Sequence, residues 1–300
     1  MKILVTGGAG FIGRHLVDYL LYNHHVTIYD NLSNSSKEKL TPLIQKGAKF
    51  IKGDILDFNL LLESSKVDII IHLAAKSDVV DSIINPEITN DTNVNGTINV
   101  LKCCIQNKIR KIIFASSAAV YGNCNLPITE KSTTNPTSPY GISKLSAEHK
   151  IKKDASEFGF SAVCLRLFNV YGKGQNNQYS GVISKFLKNI REDKPLVIYG
   201  DGTQTRDFVS VNDVVEAFSC AISAKSETYN IASGRSISVN DLAKMMLEIS
   251  GKNLEIIYKK EKAGEIKFSQ CDISLAQKQL GFSTKIDLKK GLRELVSVSN

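Results

Sequence analysis

Tyr140 and Lys144, four residues apart in the segment YGISK, are the pair in this chain whose types and spacing best suit chemistry. A separation of four places both side chains on one face of a helix. A phenol with a pKa of about 10 is a poor base at neutral pH, but a neighbouring ammonium and the positive charge of an oxidised hydride acceptor together favour the phenolate. Tyr140 could then accept a proton from an alcohol as hydride leaves the same carbon. The same spacing also occurs by chance in surface helices, so this chemistry requires a hydride acceptor elsewhere.

The glycine-rich segment TGGAGFIG, residues 6–13, could bind such an acceptor. It follows a short apolar run, precedes a helical pattern, and satisfies both GxxGxxG and GxGxxG. Glycines permit a tight turn and close approach of the backbone to a pyrophosphate, and the helix N-terminus offers amide groups to the anion. We therefore predict a dinucleotide site that includes Gly7, Gly10, Phe11, Ile12 and Gly13.

Asp30 ends the second apolar run, 23 residues after Gly7, where an acidic side chain would bind the hydroxyl groups of an adenosine ribose. A carboxylate there repels a 2′-phosphate, and Asn31 and the two residues after it include no arginine, so the pattern favours NAD over NADP. The alternative is that Asp30 is a turn or capping residue. Asp54 and Ile55 end the third apolar run and could reach the adenine.

Alternating strand and helix patterns predict the scaffold that brings these residues together. Apolar runs rich in β-branched residues predict strands at residues 2–6, 25–29, 48–52, 68–73, 111–116 and 161–168. Helical patterns between them cover residues 11–22, 36–46, 59–64, 86–107 and 140–158. Continuous apolar runs indicate strands buried on both faces, and strict alternation implies parallel strands with right-handed crossovers. The predicted fold class is α/β, a doubly wound parallel sheet of the Rossmann type.

Two hydroxyl residues, Ser116 and Ser117, lie at the end of the fifth predicted strand. The carboxyl ends of parallel strands face the ligand crevice of such a sheet. A hydroxyl there can form a hydrogen bond with the reacting oxygen, and the spacing alone does not choose between the two serines.

The regular alternation of predicted strands and helices ends after residue 169. A polar stretch occupies residues 171–178, and shorter elements follow: helices near residues 182–191, 212–224, 240–249 and 288–296, and strands near residues 196–199 and 228–231. We predict an NAD-binding Rossmann domain over residues 1–169. A smaller, mainly substrate-binding α+β lobe is predicted over residues 170–300, with interleaving across the boundary.

Composition narrows the class of protein. The formal net charge is +8, but the lysines are scattered in ones and twos, so no nucleic-acid partner is expected, whereas a diphosphate-bearing substrate would suit a mild basic bias. The five histidines lack ligand spacing, so we expect no metal site. The six cysteines form no CxxC pair and are expected to be reduced thiols. Neither a secretory signal nor a bilayer-length apolar run is present, which predicts a cytoplasmic protein without a membrane partner.

Together these motifs resemble the extended short-chain dehydrogenases/reductases, specifically the NAD-dependent epimerase/dehydratase group and its UDP-glucose 4-epimerase-like members. The resemblance covers essentially the whole chain. Its segments are TGGAGFIG at residues 6–13, YDN at 29–31, GDI at 53–55, HLAA at 72–75, NVNGT at 93–97, SSAAVYG at 116–122, YGISK at 140–144, LRLFNVYG at 165–172 and GDGTQTRDFVSVNDV at 200–214.

The resemblance implies a role for each matching residue. Tyr140 is implied to be the catalytic base, Lys144 its partner on the nicotinamide ribose, and Ser117 the hydroxyl that bonds the 4-oxygen of a sugar. The implied lining of the cofactor site adds Leu73, Ala74, Ala75 and Asn93, and the implied grip on a nucleotide diphosphate comes from Asn169 and Arg206. Without the resemblance, Asn169 reads equally well as a loop residue and Arg206 as a solvated charge.

Two positions late in the chain are implied to contact the sugar nucleotide. Lys262 stands where the family usually has arginine, so the charge is kept but the bidentate geometry is lost. Ser269 is implied to lie beside the 2-substituent of the sugar, where a small side chain leaves room for an N-acetyl group. The alternative is that the alignment slips by one, to Phe268 or Gln270, and that Ser269 is an ordinary exposed serine.

Ala118 and Ala119 separate the reactions that the family performs. Sugar 4,6-dehydratases of the family carry an Asp-Glu pair directly after the hydroxyl residue, and neither alanine can transfer a proton. The resemblance thus implies a nucleotide-sugar 4-epimerase for UDP-glucose and UDP-galactose, with room for their N-acetylated forms, acting through a transient 4-keto sugar.

Other functions stay open from the sequence. One alternative is another enzyme of the same fold, namely a nucleotide-sugar reductase, a decarboxylase or an amino-acid dehydrogenase. A second is an NAD-sensing regulator without catalysis, although such a protein would be expected to have lost the tyrosine or the lysine. Family members are commonly homodimers through the helices after the fourth and fifth strands, so a homodimer is implied as well.

Overall fold

The computed structural model of the protein describes residues 1–175, 181–261 and 267–297. Its strands are β1 (Lys2–Thr6), β2 (His25–Asp30), β3 (Lys49–Lys52), β4 (Ile69–His72), β5 (Lys111–Ser117), β6 (Ser161–Leu167), β7 (Asn169–Tyr171), β8 (Leu196–Tyr199), β9 (Thr205–Ser210), β10 (Glu227–Ile231), β11 (Ser236–Ser238) and β12 (Ile256–Lys259). Its helices are α1 (Phe11–Leu20), α2 (Thr41–Gln45), α3 (Phe58–Ser64), α4 (Val79–Ile84), α5 (Pro86–Asn90), α6 (Gly96–Gln106), α7 (Pro139–Phe158), α8 (Val182–Arg191), α9 (Val211–Ala221), α10 (Val239–Ser250) and α11 (Leu288–Ser297).

Seven strands form one sheet in the order β3-β2-β1-β4-β5-β6-β10. Every neighbouring pair in this sheet is parallel. The winding reverses between β1 and β4, and a crevice for ligands is expected outside the carboxyl ends of strands at such a reversal. The predicted doubly wound, Rossmann-type α/β fold is confirmed.

The central strands are buried because helices cover the sheet on both faces. On one face, Leu16 of α1 and Phe218 of α9 belong to the same apolar cluster as the inward residues of β1. On the other, Val100 of α6 and Ile151 of α7 pack with Ile70 of β4. Each fully buried aliphatic side chain contributes about 1.5–3 kcal/mol to folding, so these two layers hold the carboxyl ends of the strands in a rigid edge.

Helix α7, which carries the YGISK segment, has a well-defined start and end. The Ser138 side chain caps it by accepting a hydrogen bond from the Gly141 amide at 3.1 Å, and Pro139 occupies the first turn, where no amide donor is needed. The helix ends before Gly159, which adopts the left-handed conformation with φ of 76°. This start places Tyr140 in the first helical turn, beside the carboxyl edge of the sheet.

The helix predicted over residues 86–107 is interrupted. After α5 ends at Asn90, one π turn covers Asp91–Asn95, and α6 then begins at Gly96. A Cβ on Gly96 would lie 2.4 Å from Cδ1 of Ile55, so glycine lets α6 approach the segment after β3 closely. A π turn redirects side chains within a helix, and here Asn93 is buried. Hydrophobic periodicity could not reveal this one-residue bulge.

The rest of the described chain forms a smaller lobe. Strands β11, β9 and β7 form a mixed sheet, and β12 pairs with β8 in parallel. Helices α8, α10 and α11 bury Phe186, Leu242 and Leu292 in a separate apolar cluster. Among the described residues, no helix is both long and apolar enough to cross a bilayer.

The sequence predicts the strand at residues 228–231 as part of this smaller lobe, and this placement is wrong because the strand lies in the main sheet. As β10, it pairs in parallel with β6 and completes the main sheet, with Tyr229 and Ile231 in the main core. Helix α9 also packs on α1. The chain therefore interleaves across the predicted boundary. The sequence did not reveal the place of this strand, because an apolar pattern predicts a strand but not the sheet that it joins. The division after residue 169 stays a prediction.

Candidate active site

Glycines hold the loop after β1 tightly against the loop after β4. A Cβ on Gly7 would lie 2.6 Å from the Ala74 amide nitrogen, and a Cβ on Gly13 would lie 2.5 Å from the Gly7 carbonyl oxygen. Gly7 also has a φ of 70°, a conformation that side chains disfavour. Only glycine fits at both places, so the backbone itself forms the wall of the crevice.

Helix α1 begins directly after this loop and directs its N-terminus at the same edge. Gly10 is its N-cap and supplies no side-chain capping bond. The amides of the first turn, which includes Phe11 and Ile12, are thus open to an anion. The glycine wall and the uncapped helix start together fit the pyrophosphate of a dinucleotide.

The Asp30 carboxylate is held at the end of β2 by two backbone amides. Ala9 donates to its Oδ2 at 3.0 Å, and Leu32 donates to its Oδ1 at 2.8 Å. Burial raises the pKa of Asp30, and the two amide bonds oppose that rise. The bond to Leu32 is of the kind expected for a turn residue, but each oxygen keeps acceptor capacity for a ribose hydroxyl.

Asn31 and Asp54 join the ends of β2 and β3. The Asn31 side-chain amide donates to Oδ2 of Asp54 at 2.8 Å, and the Leu56 amide donates to Oδ1 of Asp54 at 2.9 Å. The Ile55 side chain is buried against Gly96. Asn31 and Asp54 therefore keep polar groups at the edge, whereas of the two residues predicted near the adenine, Asp54 and Ile55, the latter can face a ligand only with its backbone.

Asn93, in the π turn, pins the loop that follows Leu73–Ala75. Its Oδ1 accepts from the Lys76 amide at 2.8 Å, and its Nδ2 donates to the Lys76 carbonyl and to Oγ of Ser143, each at 2.9 Å. The side-chain amide is committed to protein groups and is 2 % exposed. The structure thus places Asn93 as the residue that orients this loop against α7, rather than one that offers a free amide.

A buried hydrogen-bonded chain, which sequence reasoning missed, fixes the ends of β1 and β4. Thr97 donates to the Asn93 carbonyl at 2.6 Å, so its oxygen accepts from Nε2 of His72 at 2.9 Å. Nδ1 of His72 then accepts from the Thr6 hydroxyl at 2.7 Å. Burial and Lys144 lower the pKa of His72 to about 3, which agrees with the neutral ring that these bonds require. The sequence feature that could have revealed this hydrogen-bonded chain is the polar histidine of the HLAA segment in an otherwise apolar strand.

Tyr140, Lys144 and Ser117 meet at the carboxyl end of β5. Tyr140 and Lys144 share one face of α7 and are 9 % and 3 % exposed. Ser117 adjoins the Tyr140 phenol closely enough to lower its pKa, and the Oγ of Ser117 accepts from the Ala119 amide at 3.1 Å. Nζ of Lys144 donates to the Ala115 carbonyl at 2.8 Å and lies 6.0 Å from the centroid of the Tyr140 ring. The predicted base, cation and hydroxyl are thus brought together.

The choice between the two serines follows from the strand. Successive side chains of a strand point to opposite faces. Ser117 turns toward Tyr140, whereas the Ser116 hydroxyl donates to the buried carboxylate of Glu148. Only Ser117 therefore adjoins the candidate base.

Burial controls the protonation of this group. It raises the pKa of Tyr140 despite the opposing effect of Ser117, and it lowers the pKa of Lys144 to about 7 despite the charge of Glu148. The predicted lowering of the Tyr140 pKa requires both the ammonium and the positive charge of NAD, so it stays a prediction, and in the protein alone desolvation of the phenol dominates. A positively charged ligand beside the phenol would add the missing stabilisation of the phenolate.

The predicted substrate residues gather around β9. Nδ2 of Asn169 donates to the Asp207 carbonyl at 3.1 Å, and Arg206 is half-buried and donates to the Thr205 carbonyl at 2.8 Å. The Ser269 amide donates to the Thr205 hydroxyl at 3.2 Å. These contacts bring Asn169, Arg206 and Ser269 to one side of the smaller lobe.

The structure shows whether Ser269 is exposed. Its side chain is buried, with 6 % exposure, while Phe268 is 47 % exposed. Ser269 is therefore not the exposed serine of the alternative, whereas contact with a sugar and the slip of the alignment to Phe268 or Gln270 both stay predictions. Lys262 lies outside the described residues.

Comparison with known proteins supports the same reading. A model of the NAD dependent epimerase/dehydratase family matches residues 3–232. A putative UDP-glucose 4-epimerase of Methanocaldococcus jannaschii is 42% identical over 301 residues, covering 98% of this chain and 97% of the relative.

Two solved structures extend the similarity to the fold. The UDP-glucose 4-epimerase of Thermotoga maritima with UDP-glucose has a TM-score of 0.94 at 35% identity, covering 99% of this chain and 98% of that chain. The UDP-N-acetylglucosamine 4-epimerase of Methanobrevibacter ruminantium, in complex with UDP-N-acetylmuramic acid, has a TM-score of 0.94 at 37% identity, covering 99% and 97%. With most of its length matched by the family model and nearly all of it by these relatives, the chain belongs to the NAD-dependent epimerase/dehydratase family.

Proposed function

We propose that this protein is an NAD-dependent 4-epimerase of UDP-sugars. The observation that carries the proposal is the buried Tyr140 side chain, which adjoins Ser117 beside the glycine-walled crevice and is backed by Lys144. The similar proteins named above, which are UDP-sugar 4-epimerases, support the choice of substrate class.

The cofactor site suits NAD. The glycine wall at Gly7 and Gly13 and the start of α1 would hold the pyrophosphate, and Asp30 would accept hydrogen bonds from the adenosine ribose. The chemistry that NAD supplies when bound is hydride acceptance and hydride return at a carbon. A carboxylate at residue 30 disfavours the 2′-phosphate of NADP by charge repulsion.

Residues of this chain would transfer the proton of the sugar 4-hydroxyl. Tyr140 accepts the proton of the sugar 4-hydroxyl as the phenolate and returns it from the phenol when the hydroxyl re-forms. Ser117 holds the same oxygen by a hydrogen bond, and the Lys144 ammonium stabilises the phenolate. Because both side chains are buried, few waters compete with the substrate for these bonds.

The turn after β5 favours epimerisation over dehydration. Ala118 and Ala119 occupy this turn and are half-buried beside Ser117. Neither side chain can donate or accept a proton, so an elimination of water from the sugar would lack its acid and base. Rotation of the 4-keto sugar within the site and return of hydride to its other face require no further acid or base.

The test is to incubate the purified protein with UDP-glucose, UDP-galactose and their N-acetylated counterparts, without added cofactor, and to separate the 4-epimers by chromatography. We expect interconversion of at least one pair, with no accumulation of NADH, because hydride is returned in every cycle. Stoichiometric NADH release or loss of carbon dioxide would identify a dehydrogenase or a decarboxylase instead. Binding of NAD with no turnover of any sugar would favour a regulator.

We further propose that the protein forms a homodimer through α7 and the helices that follow β4. Helices α4 and α5 pack against α7, and large apolar side chains are exposed on these helices, namely Ile83, Ile84, Ile88 and Ile142. Burying such a surface against a second copy would remove it from water. Light scattering should show a dimer for the wild type and a monomer for Ile84→Glu with Ile88→Glu. A change of Tyr22, exposed in the turn after α1, to Glu serves as the control.

We also propose that the protein is located in the cytoplasm. The six cysteines are free thiols, which is usual for a reducing compartment. Cell fractionation that places the native protein outside the cytoplasm would contradict this proposal.

A further inference from the structure

Glu148 lies one helical turn beyond Lys144 on α7 and is fully buried. Its carboxylate accepts from Nε of Arg166 at 3.0 Å, from Nη2 of Arg166 at 2.7 Å, and from the Ser116 hydroxyl. A buried carboxylate is costly unless it is paired in this way. The proton chemistry described above does not use this ion pair.

The ion pair connects the elements that carry the reacting groups. Arg166 lies on β6 and pairs in register with Ser116 on β5, which directly precedes Ser117. Arg166 also donates to the Tyr121 hydroxyl at 2.9 Å, and Tyr121 donates to Asn230 on β10 at 2.6 Å. Glu148 therefore joins the helix of Tyr140 and Lys144 to the strand of Ser117 and to the edge of the sheet.

Glu148 is also the negative charge that faces Lys144. Around the ammonium lie Glu148 and Tyr140 on its own helix, His72 on β4 and Phe114 on β5, while Arg166 and Cys164 on β6 face Glu148. His72 is neutral, and burial raises the pKa of the Cys164 thiol and of the Tyr140 phenol, so neither is ionised at neutral pH in the protein alone. Among the described residues, Glu148 is the group whose charge raises the pKa of Lys144 against the effect of burial.

We propose that Glu148 is a positioning residue for the epimerisation, which keeps Lys144 charged and aligns Tyr140 with Ser117 through its bonds to Arg166 and Ser116. This inference rests on the function proposed above. It assigns two separable effects to one side chain: an electrostatic effect on Lys144 and a geometric effect on the distance between α7 and β5.

Two variants separate these effects. Glu148→Gln keeps the shape of the side chain and removes its charge, so Lys144 should lose its proton at a pH lower by about one unit or more. The alkaline side of the kcat/KM profile should then fall about tenfold, with the acid side within about threefold of the wild type. Ser116→Ala keeps the charge of Glu148 and removes one hydrogen bond between Glu148 and β5. The value of kcat should therefore fall at every pH, without a shift of the pH profile.

The titration of Lys144 can be read without any substrate. The side-chain nitrogen resonance of labelled lysine, identified by its loss in Lys144→Met, is followed against pH in the wild type and in Glu148→Gln. If Glu148→Gln does not fold because Arg166 is left unpaired, Glu148→Gln with Arg166→Met carries the test, with a smaller displacement in the same direction.

An unchanged Lys144 titration in a folded variant would overturn the proposal, whatever the sugar assays show. Failure of every UDP-sugar to react with the wild type would instead overturn the proposed function and leave the titration result standing. A uniform loss of activity in Glu148→Gln, without any displacement of the pH profile, would show that Glu148 has only a structural role.

Discussion

Replacement of Tyr140 by phenylalanine tests the proposed chemistry most directly. The change removes one hydroxyl from a side chain that is only 9 % exposed and leaves the ring in place. Loss of an acid–base group lowers turnover by about 10²–10⁴-fold. This range corresponds to about 3–5 kcal/mol in the activation free energy.

The same change should cost little stability. The change removes at most one neutral hydrogen bond, which is worth about 1 kcal/mol. Ser117 is not left without a partner, because its oxygen still accepts from the Ala119 amide. The activation barrier should therefore change several times more than the free energy of unfolding, which separates a catalytic role from a packing role.

Epimer formation is measured by chromatography with saturating UDP-sugar, retained NAD by release on denaturation, and stability by urea unfolding. Tyr22→Phe is the matched control, because Tyr22 is 80 % exposed and its hydroxyl is remote from α7. Turnover of Tyr140→Phe within tenfold of the wild type would refute the assignment of Tyr140 as the base. Loss of NAD together with turnover would show that the residue supports cofactor binding instead.

Three further changes test other parts of the site. Asp30→Ala should weaken NAD binding about 10- to 100-fold and relax discrimination against NADP, whereas Asp30→Asn should mainly affect discrimination; a wild type that prefers NADP in titrations would contradict this. Ser269→Tyr should lose the N-acetylated sugars by steric exclusion and keep the plain hexoses, with Ser269→Ala retaining both; equal loss of both classes would show that the position does not gate the pocket. Burial raises the pKa of Asp207 to about 6, above its value of about 4 when unfolded, so its charge lowers stability as the pH rises through this window. From pH 4 to pH 7, Asp207→Asn should therefore gain about 2–3 kcal/mol of unfolding free energy relative to the wild type, and parallel pH profiles in urea unfolding would count against that pKa.

Local sequence signals were enough to predict much of this protein. Apolar runs predicted β1 to β6, and the order of strand, glycine loop and helix predicted the cradle at the start of α1. The spacing of Tyr140 and Lys144 is set by the helix itself, so their shared face needed no tertiary information. These features depend on residues close together in the chain, where periodicity, turn chemistry and helix geometry act directly.

Tertiary structure alone decided the features that join distant segments. The partner of β10, the burial of Ser269 and the pairing of Glu148 with Arg166 all depend on which surfaces meet in the folded chain. Burial also decided the direction in which the Tyr140 pKa moves. Sequence spacing places an ammonium near the phenol, but the opposing cost of desolvation arises only when the sheet and helices close around both groups and exclude water.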